Sequence, residues 1–312
     1  MQKTNFPFEI IIHDDASTDG TADIVKKYAK KHPDIFKTIF EKENQYSKKT
    51  WRFLNDMFYS AHGKYIALCE GDDFWTDENK LQKQVDFLEK NKDHTVCFHT
   101  VKIFFDDASG KEEISPEPAE GYVFDLENLL IDNYIHTCSV MYRRQDYKNL
   151  ANEIMPHDLY MHVYHARSGK IGFIKDVMGV YRKQPNGVWW ESRDHMSSIY
   201  ERHRYMLINL YSELLKMLKD STTYTPIIYK HVTHLFRSFI EIDASHKQSL
   251  FIDTVRDFPE MSAQFAIQQK VYIDDLKTEN QRLSDVVNGL DEEIKAIKGS
   301  HWYRLNPKLK RK

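Results

Sequence analysis

The chain has 312 residues, of which 41% are hydrophobic and 13% aromatic, and its formal net charge is −3. This apolar content can fill a sizeable core, and the near-neutral balance excludes a uniformly basic surface for nucleic acid. The longest apolar runs, such as residues 10–12 and 65–69, are far too short to cross a bilayer, and no leader-like segment opens the chain. We therefore expect a folded, cytoplasmic protein with no nucleic-acid partner.

The first part of the chain alternates strand-like and helix-like segments. It contains predicted strands at residues 8–12, 38–40 and 65–69 and predicted helices at 22–29 and 49–61. The first of these strands runs directly into Asp14 and Asp15, and the third runs into Glu70, Asp72 and Asp73. The alternation predicts an α/β fold in which two strands end in acidic loops.

The middle of the chain continues this alternation. Its predicted helices lie at 81–90, 126–131, 146–154 and 159–167, and its predicted strands at 95–105, 138–142, 171–174 and 177–181. Residues 106–121 carry two prolines, two glycines and many charges, a composition that predicts a surface loop.

Beyond about residue 192, long helical patterns at 196–219 and 226–242 replace the alternation. From Ile273 to Ile297 apolar residues recur at alternating spacings of three and four, which is the pattern of a short coiled coil. Asn280 at a core position favours a parallel homodimer through residues 273–297; the alternative is a helix that packs back onto the body. We therefore divide the chain into a domain at 1–191, a helical region at 192–265, a coiled-coil helix at 266–300 and a basic tail at 301–312.

The acidic loops at the two strand ends indicate one shared site. In an open α/β sheet ligands bind at the carboxyl ends of the strands, so both loops are expected to face the same crevice. Carboxylates there suit a hard divalent cation, Mn²⁺ or Mg²⁺, which in turn holds the phosphates of a nucleotide. The cation screens the diphosphate and stabilises its charge as a leaving group departs.

Residues 9–21, Glu-Ile-Ile-Ile-His-Asp-Asp-Ala-Ser-Thr-Asp-Gly-Thr, resemble the first acidic motif of the family 2 glycosyltransferases. The resemblance covers the region 1–191 and implies a GT-A type, Rossmann-like mixed sheet flanked by helices. It also implies inverting transfer from a nucleotide-diphosphate sugar. In that family a strand-end aspartate contacts the base or ribose, a role that the resemblance gives to Asp14 and Asp15.

Three further segments carry the same resemblance. Residues 65–75, Tyr-Ile-Ala-Leu-Cys-Glu-Gly-Asp-Asp-Phe-Trp, look like the DxD motif, which implies that Asp72 and Asp73 bind the metal and that Glu70 lies near the ribose. The helix start His-Asp-Leu-Tyr at 157–160 is similar to the element that supplies the general base, here Asp158. Residues 181–189 resemble the loop after the last core strand.

In that loop a histidine is common where this chain has Gln184, which cannot carry a positive charge. The diphosphate contact is therefore expected from Arg182 and Lys183. The chain also lacks the family's first strand, turn and helix ahead of residue 8. This departure indicates either a fragment of a longer protein or a damaged nucleotide site.

These observations lead to three hypotheses. The first is a transferase that builds a surface polysaccharide on a carbohydrate or lipid-linked acceptor. The basic segment 304–312 has two interpretations: a solvated tail or, together with Trp302 and Tyr303, a peripheral contact with anionic lipid at the inner face of the membrane. The second is a truncated, inactive family member that acts as an interaction protein through its coiled coil. The third, a nucleotidyltransferase or phosphohydrolase, is disfavoured because no Gly-rich phosphate loop accompanies the acids.

Overall fold

The structure, a computed structural model, describes residues 1–48, 52–185, 187, 196–246 and 250–299. The strands in these ranges are β1 (Ile10–Asp14), β2 (Phe36–Phe40), β3 (Tyr65–Ala67), β4 (Phe74–Trp75), β5 (His94–Phe105), β6 (Glu112–Ser115), β7 (Met141–Arg143) and β8 (Lys170–Lys183). The helices there are α1 (Thr21–Lys31), α2 (Arg52–Ser60), α3 (Lys80–Lys90), α4 (Leu126–Ile131), α5 (His157–Ala166), α6 (Met196–Met217), α7 (Tyr224–His246), α8 (Leu250–Asp257) and α9 (Pro259–Gly299). The α/β fold with a helical carboxy-terminal region is therefore confirmed, whereas the predicted tail at 301–312 lies outside the described residues.

The strands form a mixed arrangement of two sheets. In the larger sheet the order is β3-β7-β5-β8-β4, and β6 pairs with the far half of β5. The β5–β8 pairing is parallel, and the β3–β7, β5–β7 and β4–β8 pairings are antiparallel. The strands β1 and β2 pair in parallel as a smaller sheet of their own. A cleft that both β1 and β3 line lies between the two sheets.

The core is built around β5, a 12-residue strand that lies between β7 and β8 in the larger sheet. Cys97 packs against Leu88 of α3, whereas the next residue, Phe98, contacts the rings of Phe124 and Phe173. Successive side chains of a strand point to opposite faces, so both faces of β5 are covered. This explains why its sequence is a near-continuous apolar run rather than an alternating one.

The helix predicted at 146–154 is wrong, because irregular backbone occupies this segment. Its main-chain groups bind side chains from elsewhere instead of each other. The Ala151 N–H donates to the Tyr160 hydroxyl over 3.0 Å, and the Asn55 amide donates to the Ala151 carbonyl over 2.9 Å. Tertiary hydrogen bonds therefore replace the helical ones that the local pattern favoured.

The structure also corrects two of the strand predictions. The expected loop at 106–121 contains β6, which pairs with β5 and brings Lys102 within 3.0 Å of Glu112. The strands predicted at 171–174 and 177–181 are one strand, β8, that keeps its pairing with β5 across an irregularity at 175–176. Cross-strand pairing thus extends both strands beyond what composition indicates.

The chain divides into two compact units, 1–250 and 251–312. In the first unit α6 and α7 bury side chains such as Leu210, Phe236 and Phe239, and α6 is kinked at His203. In the second unit the rings of Phe251 and Phe265 lie 6.0 Å apart, where α8 meets the start of α9. Over the described residues, none of the helices combines the length and the apolar character that a membrane crossing requires.

Candidate active site

The ends of several elements meet at the cleft between the two sheets, which has a volume of about 2130 Å³. Pockets for one small ligand usually measure about 300–1,000 Å³, so this cleft has room for more than one. Most of the sequence-predicted site residues line it, namely Asp14, Glu70, Asp72, Asp73, Asp158, Arg182 and Lys183. Asp15 is not among the residues that line it.

Asp14 is the last residue of β1 and is buried at the mouth of a tight turn. Ala16 has a φ of 58°, a left-handed conformation that turns the chain back on itself. The Ser17 N–H thereby donates to Asp14 Oδ2 over 3.2 Å, while Oδ1 is buried and has no hydrogen-bond partner among the described residues. A buried carboxylate oxygen without a partner is costly, and a ligand donor in the cleft would satisfy it.

Asp15 has a different environment. Its two carboxylate oxygens accept hydrogen bonds from the N–H groups of Gln45 and Tyr46, at 2.6 and 2.9 Å. Asp15 therefore holds the segment that follows β2 in place. The structure does not bring its carboxylate into the cleft beside Asp14.

The loop after β3 is tied to the end of β8. The Arg182 N–H donates to Asp73 Oδ1 over 2.8 Å, and the Gln184 side-chain amide donates to Asp72 Oδ2 over 3.1 Å. Burial raises the pKa of Asp73 to about 6, although the Arg182 N–H opposes that shift. The amide that stands at the family's histidine position therefore contacts the acidic loop.

The acidic loop suits a divalent cation that is held partly by the protein. Asp73 Oδ2 is buried and has no N–H or O–H donor among the described residues, the Cys138 thiol being a weak donor to this carboxylate, and the neighbouring Asp72 offers further carboxylate oxygens. Hard cations prefer such oxygen ligands and complete their shell with phosphate and water. Within the described ranges, no group of three or more His, Cys, Asp or Glu side chains encloses a metal by itself. The donor set fits a site completed by a bound diphosphate.

Glu70 faces three other carboxylates. Solvent reaches its side chain through the cleft. The pKa of Glu70 is nevertheless raised to about 8, mainly because the surrounding protein desolvates it and also because of the negative charges of Asp158, Asp73 and Asp72. A hydrogen bond with Thr137 opposes this shift. Carboxylates this close compete to stay ionised, so the cleft favours a ligand that brings positive charge or hydrogen-bond donors.

Asp158 lies in the first turn of α5, after Pro156. Desolvation by the surrounding protein raises its pKa, and the opposing contacts are the Leu159 N–H and the Asn133 amide, which donates to Oδ2 over 3.2 Å. A carboxylate with a raised pKa at the wall of a cleft is suited to accept a proton from a bound hydroxyl.

Arg182 and Lys183 supply positive charge at the end of β8. The Arg182 guanidinium lies 3.9 Å from Asp106 Oδ2, and the Lys183 ammonium lies 5.5 Å from the centre of the Phe105 ring. Both side chains therefore contact residues at the neighbouring end of β5. The Arg182 charge also lowers the pKa of Asp73, so this cation lies near the acidic loop, and Lys183 lines the same cleft.

Sequence reasoning missed Asn133 and Thr137, which contact Asp158 and Glu70. Both lie in the segment between α4 and β7. They are single polar residues without a recognisable spacing, so nothing in the local sequence distinguishes them from ordinary turn residues. Only the tertiary fold brings this segment beside both carboxylates.

The chain resembles known proteins in sequence. Residues 1–150 match the model of glycosyl transferase family 2. The Mycobacterium tuberculosis protein Rv1520 is 33% identical over 262 residues, which are 84% of this chain and 75% of that protein. Escherichia coli WfaP, a UDP-Glc:α-D-GlcNAc-diphosphoundecaprenol β-1,3-glucosyltransferase, is 35% identical over 92 residues, 30% of this chain and 34% of WfaP.

The structure of Staphylococcus aureus TarS 1–349 in complex with UDP has a TM-score of 0.43 and 16% identity, and covers 84% of this chain and 80% of that one. The family match places this α/β fold in the glycosyltransferase class. The chain belongs to glycosyl transferase family 2.

Proposed function

We propose that this chain is an inverting, divalent-cation-dependent hexosyltransferase. It transfers a sugar from a nucleotide-diphosphate sugar to a carbohydrate or lipid-linked acceptor in cell-surface polysaccharide synthesis. The observation that carries the proposal is the acidic loop at Asp72 and Asp73, which Arg182 anchors in the cleft that Asp158 also lines. This arrangement supplies both a leaving-group site and a base.

The donor is bound by the residues around the acidic loop. Asp14, with its unsatisfied Oδ1, accepts a hydrogen bond from the base or ribose, and Glu70 lies beside the ribose. Asp72 and Asp73 would hold Mn²⁺ or Mg²⁺, which when bound neutralises the diphosphate. Arg182 and Lys183 add positive charge on the same side.

Asp158 acts as the general base. Its raised pKa favours uptake of a proton from the acceptor hydroxyl as that oxygen attacks the anomeric carbon. Asn133 holds the carboxylate through Oδ2 and so helps to orient it toward the acceptor. Attack from the face opposite the departing diphosphate inverts the configuration of the sugar.

The acceptor and location extend the proposal. WfaP acts on a diphosphoundecaprenol-linked sugar, and a lipid-linked acceptor of that kind supports a place at the membrane surface. The basic segment 304–312 offers an electrostatic contact with anionic lipid at the inner face. We infer a cytoplasmic protein with peripheral membrane contact.

Calorimetric titration tests the donor site. The purified chain is titrated with UDP and with UDP-glucose, the donor that the WfaP name contains, with and without Mn²⁺. We expect binding that requires the metal and is lost in Asp72→Ala, but is kept in Glu120→Ala, which removes an exposed carboxylate outside the cleft. Absence of binding by any nucleotide sugar, in a chain with native circular dichroism, would contradict the proposal.

A second candidate function is an interaction protein without transfer activity. The observation in its favour is the apolar stripe on α9, where Leu276, Leu283 and Leu290 are each about half exposed. Self-association without donor binding would select this function over the transferase.

A further inference from the structure

The second half of α9 is a helix without packing partners among the described residues. Every side chain described between Val271 and Glu293 is exposed to solvent. Upstream of this stretch, Met261 and Phe265 are buried in the second unit. The exposed stretch nevertheless contains large apolar residues, which globular proteins rarely leave in contiguous contact with water.

These apolar residues fall on one stripe. Ile273 and Val287 occupy position a of a heptad repeat, and Leu276, Leu283 and Leu290 occupy position d. Their exposed fractions lie between 46% and 62%. Ile294 and Ile297 continue the repeat in the sequence, although their side chains lie outside the described set. A stripe of this period fits a second helix with the same period.

We propose that a second copy of this chain covers the stripe and forms a parallel, in-register, two-stranded coiled coil. Asn280 is the residue that selects this partner, because it occupies position a inside the apolar stripe. In a parallel pair a faces a, so Asn280 meets Asn280 of the partner subunit and the two amides bond to each other. In an antiparallel pair a faces d, which opposes this amide to a leucine.

The charges beside the stripe agree with the parallel arrangement. In a parallel pair each g residue faces the e residue of the next heptad of the other helix. Glu279 then faces Ser284 of the partner subunit, and Val286 faces Asp291 of the partner subunit, so no like charges oppose each other at these positions. Arg282 binds Glu279 within its own helix and leaves the a and d positions uncovered.

Sedimentation equilibrium of the full chain tests the association. We expect a dimer for the native chain, a monomer for Leu283→Asp, and a dimer for Asp285→Ala, whose side chain points away from the stripe. Circular dichroism verifies that each variant stays helical. A native chain that is monomeric at all concentrations, or a dimer that survives Leu283→Asp, would overturn the proposal. Neither result depends on sugar transfer or donor binding.

Disulfide trapping tests the register. In a Cys69→Ser background, which removes the exposed native thiol, Asn280→Cys is compared with Asp285→Cys under mild oxidation. A parallel in-register pair joins the residues at 280 as a covalent dimer and leaves those at 285 unlinked. Equal cross-linking at both positions, or none at 280 in a dimeric protein, would refute the in-register arrangement.

Asn280→Ile provides a third readout. A polar residue at a fixes oligomer state at a cost in stability, so its replacement should strengthen association and broaden the distribution of oligomers. An unchanged dissociation constant would place Asn280 outside the interface and refute the proposed selection.

Discussion

The Arg182 N–H donates a 2.8 Å hydrogen bond to Asp73 Oδ1, and this single contact joins residues that are 109 positions apart. It links the end of β8 to the loop that follows β3. The other oxygen of the same carboxylate is buried and has no N–H or O–H donor in the part of the chain that the structure describes. Asp73 thus has one oxygen for the fold and one for a ligand.

Asp73→Asn and Asp73→Ala separate these two roles. Asparagine keeps an oxygen for the Arg182 N–H but removes the charge, so we expect native stability with loss of metal-dependent donor binding. Alanine removes both, and leaves a buried N–H unsatisfied, which costs about 1–3 kcal/mol. Urea denaturation and calorimetric titration measure the two effects. Equal unfolding free energies for both variants would contradict the structural role of the hydrogen bond.

Asp158→Asn removes the proposed base. We expect transfer to slow by about 10²–10⁴-fold, while metal-dependent donor binding is retained because Asp72 and Asp73 are unchanged. Product formation is measured with the donor that calorimetric titration identifies and with a panel of acceptors. Donor binding by the variant is measured as the control. Full activity of this variant would assign the base elsewhere.

Asn133→Ala tests how the base is held. The Asn133 amide stabilises the ionised form of Asp158, so its removal raises the pKa of that carboxyl further. The base must be ionised to act. We therefore expect the acidic limb of the pH–rate profile to move to higher pH, with a profile of native shape above it. An unshifted limb would show that Asn133 does not act through Asp158.

Lys80 predicts a pH-dependent change in stability. Its side chain is fully buried, its ammonium lies 3.8 Å from the centre of the Trp75 ring, and it has no hydrogen-bond partner. Burial lowers its pKa to about 7. The unfolded chain keeps this proton up to about pH 10.4, so the unfolding free energy should rise between these values, by at most about 1.4 kcal/mol per pH unit.

Lys80→Met should abolish that rise and increase stability near pH 7, because it removes a buried charge. Lys90→Met, at an exposed position at the end of the same helix, is the control and should retain the rise. Denaturant titrations between pH 7 and pH 10 compare the three proteins. A native-like slope in Lys80→Met would contradict the assignment.

Substitution by alanine is expected to change stability in opposite directions at two glycines. A Cβ at Gly169 would lie 2.8 Å from the Asp93 carbonyl oxygen and 2.5 Å from a Thr95 methyl carbon, so Gly169→Ala should destabilise the protein by about 1–3 kcal/mol. A Cβ at Gly289 meets no atom within 4 Å, and alanine there should stabilise α9 by about 0.5–1 kcal/mol. Thermal unfolding followed by circular dichroism checks both signs.

The parts of the site that the sequence predicts are those with a local signal. An apolar run that ends in Asp14 or Glu70 describes a strand and its end within one short segment. Asp158 follows a proline at a helix start, which is equally local. Asn133 has no such signal, because its contact with Asp158 depends on the packing of α4 beside α5.

The difference between local and long-range signals also explains the errors in the predicted secondary structure. Residues 146–154 have a helical pattern, but Asn55 and Tyr160 bind the Ala151 backbone from distant parts of the chain. The strand β6 exists because β5 offers it an edge, which composition alone does not reveal. Long-range hydrogen bonds decide both cases, and a single sequence does not encode them as a pattern.

Asp14 belongs to the small sheet and Asp72 to the loop of the large one, and the two sheets share no hydrogen-bonded strand pair within the described ranges. A ligand that contacts both carboxylates therefore connects the small sheet to the large one. Part of its binding free energy then stabilises the small sheet against local opening. When the site is saturated with such a ligand, amides of β1 and β2 should gain the largest protection from hydrogen exchange, because the bound ligand suppresses their local opening.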